Sequence, residues 1–155
     1  MKQQIRIMFL LGIIFCVIGL DQLIKYAIVS GFRWESEMLS IVLVFNDGVA
    51  FSMLAFLQGW LKWLQIGLII LIVMIFFWQR DMFRQYWVGF GFVLGGGISN
   101  VIDRFRYDGV VDYVYWHYWF EFAIFNFADV CIDVGVGILL VQWFFFERKN
   151  AKSSK

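Results

Sequence analysis

The 155-residue sequence contains no proline, one histidine and two cysteines, and only 16% of its residues are charged. The missing proline excludes a proline-rich linker or tail. A single histidine, His117, leaves a Ser-His-Asp triad only one candidate base, and no nucleophile-elbow pattern accompanies it. His117 sits among aromatics and reads as an interfacial side chain. Cys16 and Cys131 lie far apart within apolar runs, with no metal-ligand spacing, and read as two buried thiols. No Walker A sequence or dinucleotide fingerprint is present, so neither a metal nor a nucleotide cofactor is expected. The net charge of +1 gives no basis for a nucleic-acid partner. No internal repeat or low-complexity segment occurs.

What the sequence has in abundance is apolar surface. Hydrophobic residues make up 62% and aromatics 21%, against about half apolar in a soluble domain. One small core cannot hide that much. A transmembrane helix needs about 20 mostly apolar residues. Four windows qualify, at about 5–29, 57–78, 86–102 and 127–146. The first begins like a signal peptide, with Lys2 and Arg6. It is too long for one, contains Asp21 and Lys25, and lacks a small-residue cleavage pattern. The expected fold is therefore mainly α and integral to the membrane, as a single domain over 1–155.

Basic residues orient the spans. Lys2 and Arg6, Arg80 and Arg84, and the basic tail at 147–155 all fall on one side of a four-span topology. The connections 31–55 and 103–126 carry most of the acids. The positive-inside rule places both termini in the cytoplasm and both long connections outside. The 31–55 connection has β-branched and aromatic runs around an Asn-Asp-Gly turn, which predicts a small β-rich element at the outer interface. The aromatics of YVYWHYWF suit headgroup level.

Ionisable residues within spans cost a few kcal/mol each and are functional candidates. Asp21 and Lys25 are four apart on one helix face. They form either an orienting ion pair or a chemical group. Asn100, Asp103 and Arg104 share one face at the outer end of span three, behind Gly95, Gly96 and Gly97. Arg104 is a fork donor suited to holding a carboxylate, either as a brace or toward substrate. Asp112 follows two valines. Asn126 and Asp129 open span four, where a helix N-terminus favours a carboxylate. Asp133 is a secondary acid facing the bundle interior. Asp112 and Asp129 are expected at one depth, on segments that must pack together. Two close carboxylates share one proton, which suits one as base toward water and the other as acid toward a carbonyl. An intramembrane aspartic protease fits this pattern. So do a small proton- or ion-coupled carrier, although the acids cluster near one face, and a non-catalytic scaffold.

Five strings decide among these. In order they are DQLIK (21–25), FNDGVAF (45–51), GGISNVIDR (96–104), VVDY (110–113) and FNFADVCI (125–132). Together they resemble the lipoprotein signal peptidases over nearly the whole chain. The resemblance implies a catalytic pair, Asp112 and Asp129. It implies supporting or substrate-binding roles for Asp21, Lys25, Asn46, Gly48, Ala50, Asn100, Asp103, Arg104, Val110, Asn126 and Ala128. It implies a bacterial inner-membrane endopeptidase that cuts diacylglyceryl-modified prolipoproteins before the lipidated cysteine, near the outer face. It also implies membrane lipids as surroundings and inhibition by the cyclic peptide globomycin. Asn46 and Gly48 are expected to approach the substrate backbone. Ser99 replaces the usual glycine before Asn100, and the proline often found before Asn126 is absent.

Overall fold

The computed structural model describes residues 2–48 and 59–153. These form α1 (Gln3–Val29), β1 (Trp34–Glu35), β2 (Leu39–Asn46), α2 (Leu61–Trp78), α3 (Arg80–Tyr107), β3 (Val110–Trp116) and α4 (Phe127–Ser153). Ala50 and the second half of the expected β-rich connection lie outside the described residues.

The four helices fall where the sequence places four spans, with different ends. No proline interrupts them. α1 has 27 residues, about 40 Å at 1.5 Å each. It ends in a Schellman motif. Gly31, at φ 109°, supplies the left-handed residue, and Phe32 N–H reaches back to the Ala27 carbonyl at 3.0 Å. α2 and α3 meet at Gln79 alone, so Arg80 and Arg84 belong to the start of α3 rather than to a 79–85 loop. α3 runs past 102 to Tyr107, which carries Asp103 and Arg104 inside a helix. α4 continues through the basic segment to Ser153, so that segment is no separate tail. α1, and α4 as far as Phe146, are each long and apolar enough to cross a membrane. Their apolar side chains face outward: Phe15 is 70% exposed and Phe145 64%. A protein in water would bury such groups.

α3 is the central helix. It packs against α1, α2, α4 and β3, and its glycines allow the approach. A Cβ on Gly96 would strike the Ala128 carbonyl oxygen of α4, and one on Gly95 would lie 2.9 Å from Val17 Cβ of α1. Cys131 is buried, but Cys16 is exposed on α1. The expectation of two buried thiols fails for Cys16.

The β element is larger than expected. β1, β2 and β3 form one antiparallel sheet in that order, so the two long connections are joined. Val44 pairs with Asp112 and Asn46 with Val110. An extra β2 residue between Ile41 and Val44 shifts the register beside that pair, as bulges next to functional sites do. Val114 also bridges to Phe125, which draws the start of α4 against β3. His117 follows β3. Its Nε2 lies 2.9 Å from Ser40 Oγ of β2.

Candidate active site

Three segments converge where β3 meets the C-terminal end of α3 and the N-terminal end of α4. The N-terminus of α4 presents orphan N–H groups that need acceptors. Each finds one. Phe127 N–H donates to Tyr113 Oη at 3.0 Å, and Ala128 N–H to Asp21 Oδ1 at 2.9 Å. Asp129 N–H donates to Asn126 Oδ1 at 2.9 Å, while Asn126 N–H donates to Asp129 Oδ2 at 3.1 Å. The last two form a reciprocal capping box. Asp129 is thus a first-turn acid, as the sequence allows, and its second oxygen remains for other work.

That oxygen, Oδ1, accepts from Asn100 Nδ2 at 2.8 Å. Asp112, on β3, accepts from Asn46 Nδ2 at 2.9 Å through Oδ2 and from Asn126 Nδ2 at 2.7 Å through Oδ1. Asn126 therefore touches both carboxylates and sits between them. Both line one cavity of about 300 Å³. Burial pushes the Asp112 carboxyl up to about 6, and the neighbouring Asp129 charge adds to this. The Asn46 and Asn126 hydrogen bonds pull the other way.

Lys25, Asp21 and Asp103 lie behind this pair. Lys25 is 2% exposed. Its three N–H bonds go to Asp21 Oδ2 at 2.7 Å, Asp103 Oδ2 at 2.6 Å and Asn100 Oδ1 at 2.9 Å. A lysine only donates, so this contact fixes the Asn100 oxygen toward Lys25 and its NH₂ toward Asp129. Asp21 holds Ala128 N–H, next to Asp129. Asp103 accepts from Val111 N–H at 3.2 Å, next to Asp112. Each supporting carboxylate thus anchors the backbone beside one of the cavity acids. Ser99 keeps the helices close, as a small residue should. It also donates to Asp21 Oδ2 at 2.7 Å.

A family model described as signal peptidase (SPase) II matches residues 13–145. The chain belongs to this family. It is 59% identical over 142 residues to the lipoprotein signal peptidase of Helicobacter pylori, covering 92% of this chain and 90% of that protein. The lipoprotein signal peptidase of Wolinella succinogenes is 54% identical, covering 89% of this chain and 94% of that one. A bacterial membrane enzyme solved in meso at 2.3 Å superposes with a TM-score of 0.78 and 25% identity, over 95% of this chain and 92% of that one. The apolar outer surface is that of a membrane protein.

Among the motif positions of this signal peptidase II member, Asn46, Gly48, Asn100, Arg104, Val110, Asp112 and Asp129 line the cavity. Asp21, Lys25, Asp103, Asn126 and Ala128 do not; they pack behind it. One expectation changes. Among the described residues Arg104 does not bond a carboxylate: its Nη2 donates to the Gly48 carbonyl at 2.5 Å and its Nε to Gln65 Oε1 at 2.9 Å. It clasps the end of the β2 connection because that carbonyl, rather than an acid, meets the fork. Asn46 lines the cavity; its NH₂ holds Asp112, and its oxygen accepts Gly48 N–H at 3.0 Å in an Asx turn. Asp133, one turn after Asp129, is exposed and also lines the cavity.

Sequence reasoning missed Tyr113, Gln22 and Gln65. Gln22 Nε2 donates to Asp103 Oδ1 at 2.8 Å and to Ser99 Oγ at 3.0 Å. Its place inside DQLIK was the available signal. Gln65 was signalled by being an amide within an apolar run.

Proposed function

We propose that this chain is an aspartic endopeptidase that removes the signal peptide from diacylglyceryl-modified bacterial prolipoproteins, cutting just before the lipidated cysteine. The observation that carries this reading is one cavity lined by two carboxylates, each held through both oxygens by amide donors, in a member of the signal peptidase II family. With one proton between them, one aspartate accepts a proton from water as the water oxygen bonds to the scissile carbonyl carbon. The other gives its proton to the carbonyl oxygen. The tetrahedral diol then collapses. The carbon–nitrogen bond breaks, a proton passes to the leaving nitrogen, and a carboxylic acid and a free cysteine amine result. Neither metal nor covalent intermediate is needed.

The protein works as one membrane-embedded domain of the bacterial inner membrane. Both termini are cytoplasmic and the cavity lies near the outer face, where the diacylglyceryl group enters from the lipid. Globomycin, a cyclic peptide, blocks the enzyme by filling the cavity. The deciding experiment gives purified protein a diacylglyceryl prolipoprotein and follows the gel shift. Wild type cleaves it; Asp112→Asn and Asp129→Asn each lose at least about 10³-fold in kcat. Full activity in either variant refutes the pair. Reporter fusions at Ser30, Arg84 and Lys155 should read outside, inside and inside.

A further inference from the structure

We infer that Gln65 of α2 is a further substrate-binding residue, whose side-chain amide donates to a backbone carbonyl of the bound peptide. This rests on the peptidase reading above and adds a contact from a helix on which the family's motif strings place no residue.

α2 reads LKWLQIGLIILIVMIFFW. Its lysine, Lys62, is engaged at the helix start, 3.7 Å from Asp108 and over the Phe105 ring. Gln65 is the one amide in the helix. A polar amide in an apolar span is costly unless it is bonded. Its oxygen is bonded: Oε1 accepts from Arg104 Nε at 2.9 Å. Arginine only donates, so this contact fixes which end of the amide faces Arg104. The NH₂ group is left with two donors and makes no hydrogen bond among the described residues. Nor is it sealed in the protein, since Gln142 Oε1 is the buried side-chain polar atom left unpaired there. Gln65 lines the cavity that holds Asp112 and Asp129.

Among the described residues, the cavity therefore offers a preset donor with no acceptor. The two carboxylates already accept from Asn46, Asn100 and Asn126. A peptide entering the cavity brings carbonyl oxygens, which are pure acceptors. Arg104 also grips Gly48, so the donor is held in register with the β2 connection on which Asn46 fixes Asp112.

The test compares Gln65→Glu with wild type on the diacylglyceryl prolipoprotein, each at its own pH optimum. A glutamate still accepts from Arg104 but has no N–H to donate. The expected result is a thermal midpoint close to wild type and a rise in KM of about fivefold to tenfold, larger than any change in kcat. A role confined to bracing Arg104 would leave KM in place. If Gln65→Glu does not accumulate as folded protein, Gln65→Met is read by the same split. A KM within twofold of wild type, in whichever variant folds, overturns the inference. Failure of the peptidase reading is seen separately, because wild type would then not cleave the substrate at all.

Discussion

Replacing Asp112 by asparagine is expected to stabilise the folded protein at neutral pH while abolishing turnover. Asp112 is 3% exposed, and burial raises its carboxyl from 3.8 to about 6. A group with a raised folded-state pKa binds its proton more tightly folded than unfolded. Its stability contribution is complete below the ordinary pKa, near 4, and is lost as pH rises through about 6. From 3.8 to about 6, at about 1.4 kcal/mol per pH unit, the loss is about 3 kcal/mol by pH 7. The replacing asparagine carries no charge and escapes this penalty. It does not keep every contact, because Asp112 accepts amide N–H groups on both oxygens. An asparagine turns its own NH₂ toward one of those donors, which costs about 1–2 kcal/mol. The balance is a gain of about 1–2 kcal/mol, or about 2–8 °C in thermal midpoint for a chain of this size. The assay is tryptophan fluorescence on heating, in one detergent, at pH 5 and pH 7.5. Wild type should lose stability between these values, the variant should be flatter, and the variant should melt higher at pH 7.5. A variant that melts below wild type at pH 7.5, with the same pH slope, refutes a buried, proton-holding Asp112.

Four further substitutions are read from the same structure. Lys25→Met leaves Asp21 and Asp103, both 0% exposed, without their cation. The cost should be about 3–5 kcal/mol, seen as a large drop in folded yield and thermal midpoint; an unchanged midpoint contradicts the bracing role. Gly96→Ala puts a methyl against the Ala128 carbonyl and within 2.8 Å of Ile132 Cγ1. It should cost about 1–3 kcal/mol and lower kcat by displacing α4 beside Asp129. Gly137→Ala, with nothing within 4 Å, should be tolerated. Asn126→Ala removes the cap, worth about 0.5–2 kcal/mol, and the side-chain donor to Asp112 Oδ1, while the backbone N–H that bonds Asp129 remains. Its kcat should fall by about 10²-fold or more, and near-wild-type kcat would show that Asn126 only caps the helix.

The helices were legible because their signal is long and local. An apolar run of about twenty residues means the same thing wherever its neighbours lie. Helix ends were less so: α3 carries Asp103 and Arg104 inside its last turns because partners on α1, α2 and β3 satisfy them, and those partners are distant in sequence. By sequence, the second half of β3 is part of an aromatic stretch suited to headgroup level. Asp112 is a poor strand former, and the pairing that makes 110–116 a strand comes from β2, far earlier in the chain. Spacing alone could group Asn100 with Asp103 and Arg104. It could not show that Asn100 faces Asp129 while Asp103 faces Lys25. The direction of each side chain depends on which donors another helix brings, and only the assembled bundle contains that information. Ser99 looked like a packing substitute and proved to be a hydrogen-bond donor for the same reason.

Among the described residues no cation bonds either cavity acid, although Lys25 and Arg104 lie near enough for their charges to act on the pair. A cation bonded to either carboxylate would hold it ionised and oppose a shared proton. Lys25 could have done so. Its three donors are instead used on Asp21, Asp103 and the Asn100 oxygen. Arg104 bonds a carbonyl and an amide. Among the described residues, Asp112 and Asp129 are hydrogen-bonded by neutral amides: the Asn46, Asn100 and Asn126 side chains and the Asn126 backbone. Amides fix position and leave charge in place. Asp21 and Asp103 thus act at a distance: they hold the backbone next to each cavity aspartate and take two of the three Lys25 donors. An Asp103→Asn change should accordingly free a lysine N–H toward the Asn100–Asp129 pair, and activity should fall even where the fold survives.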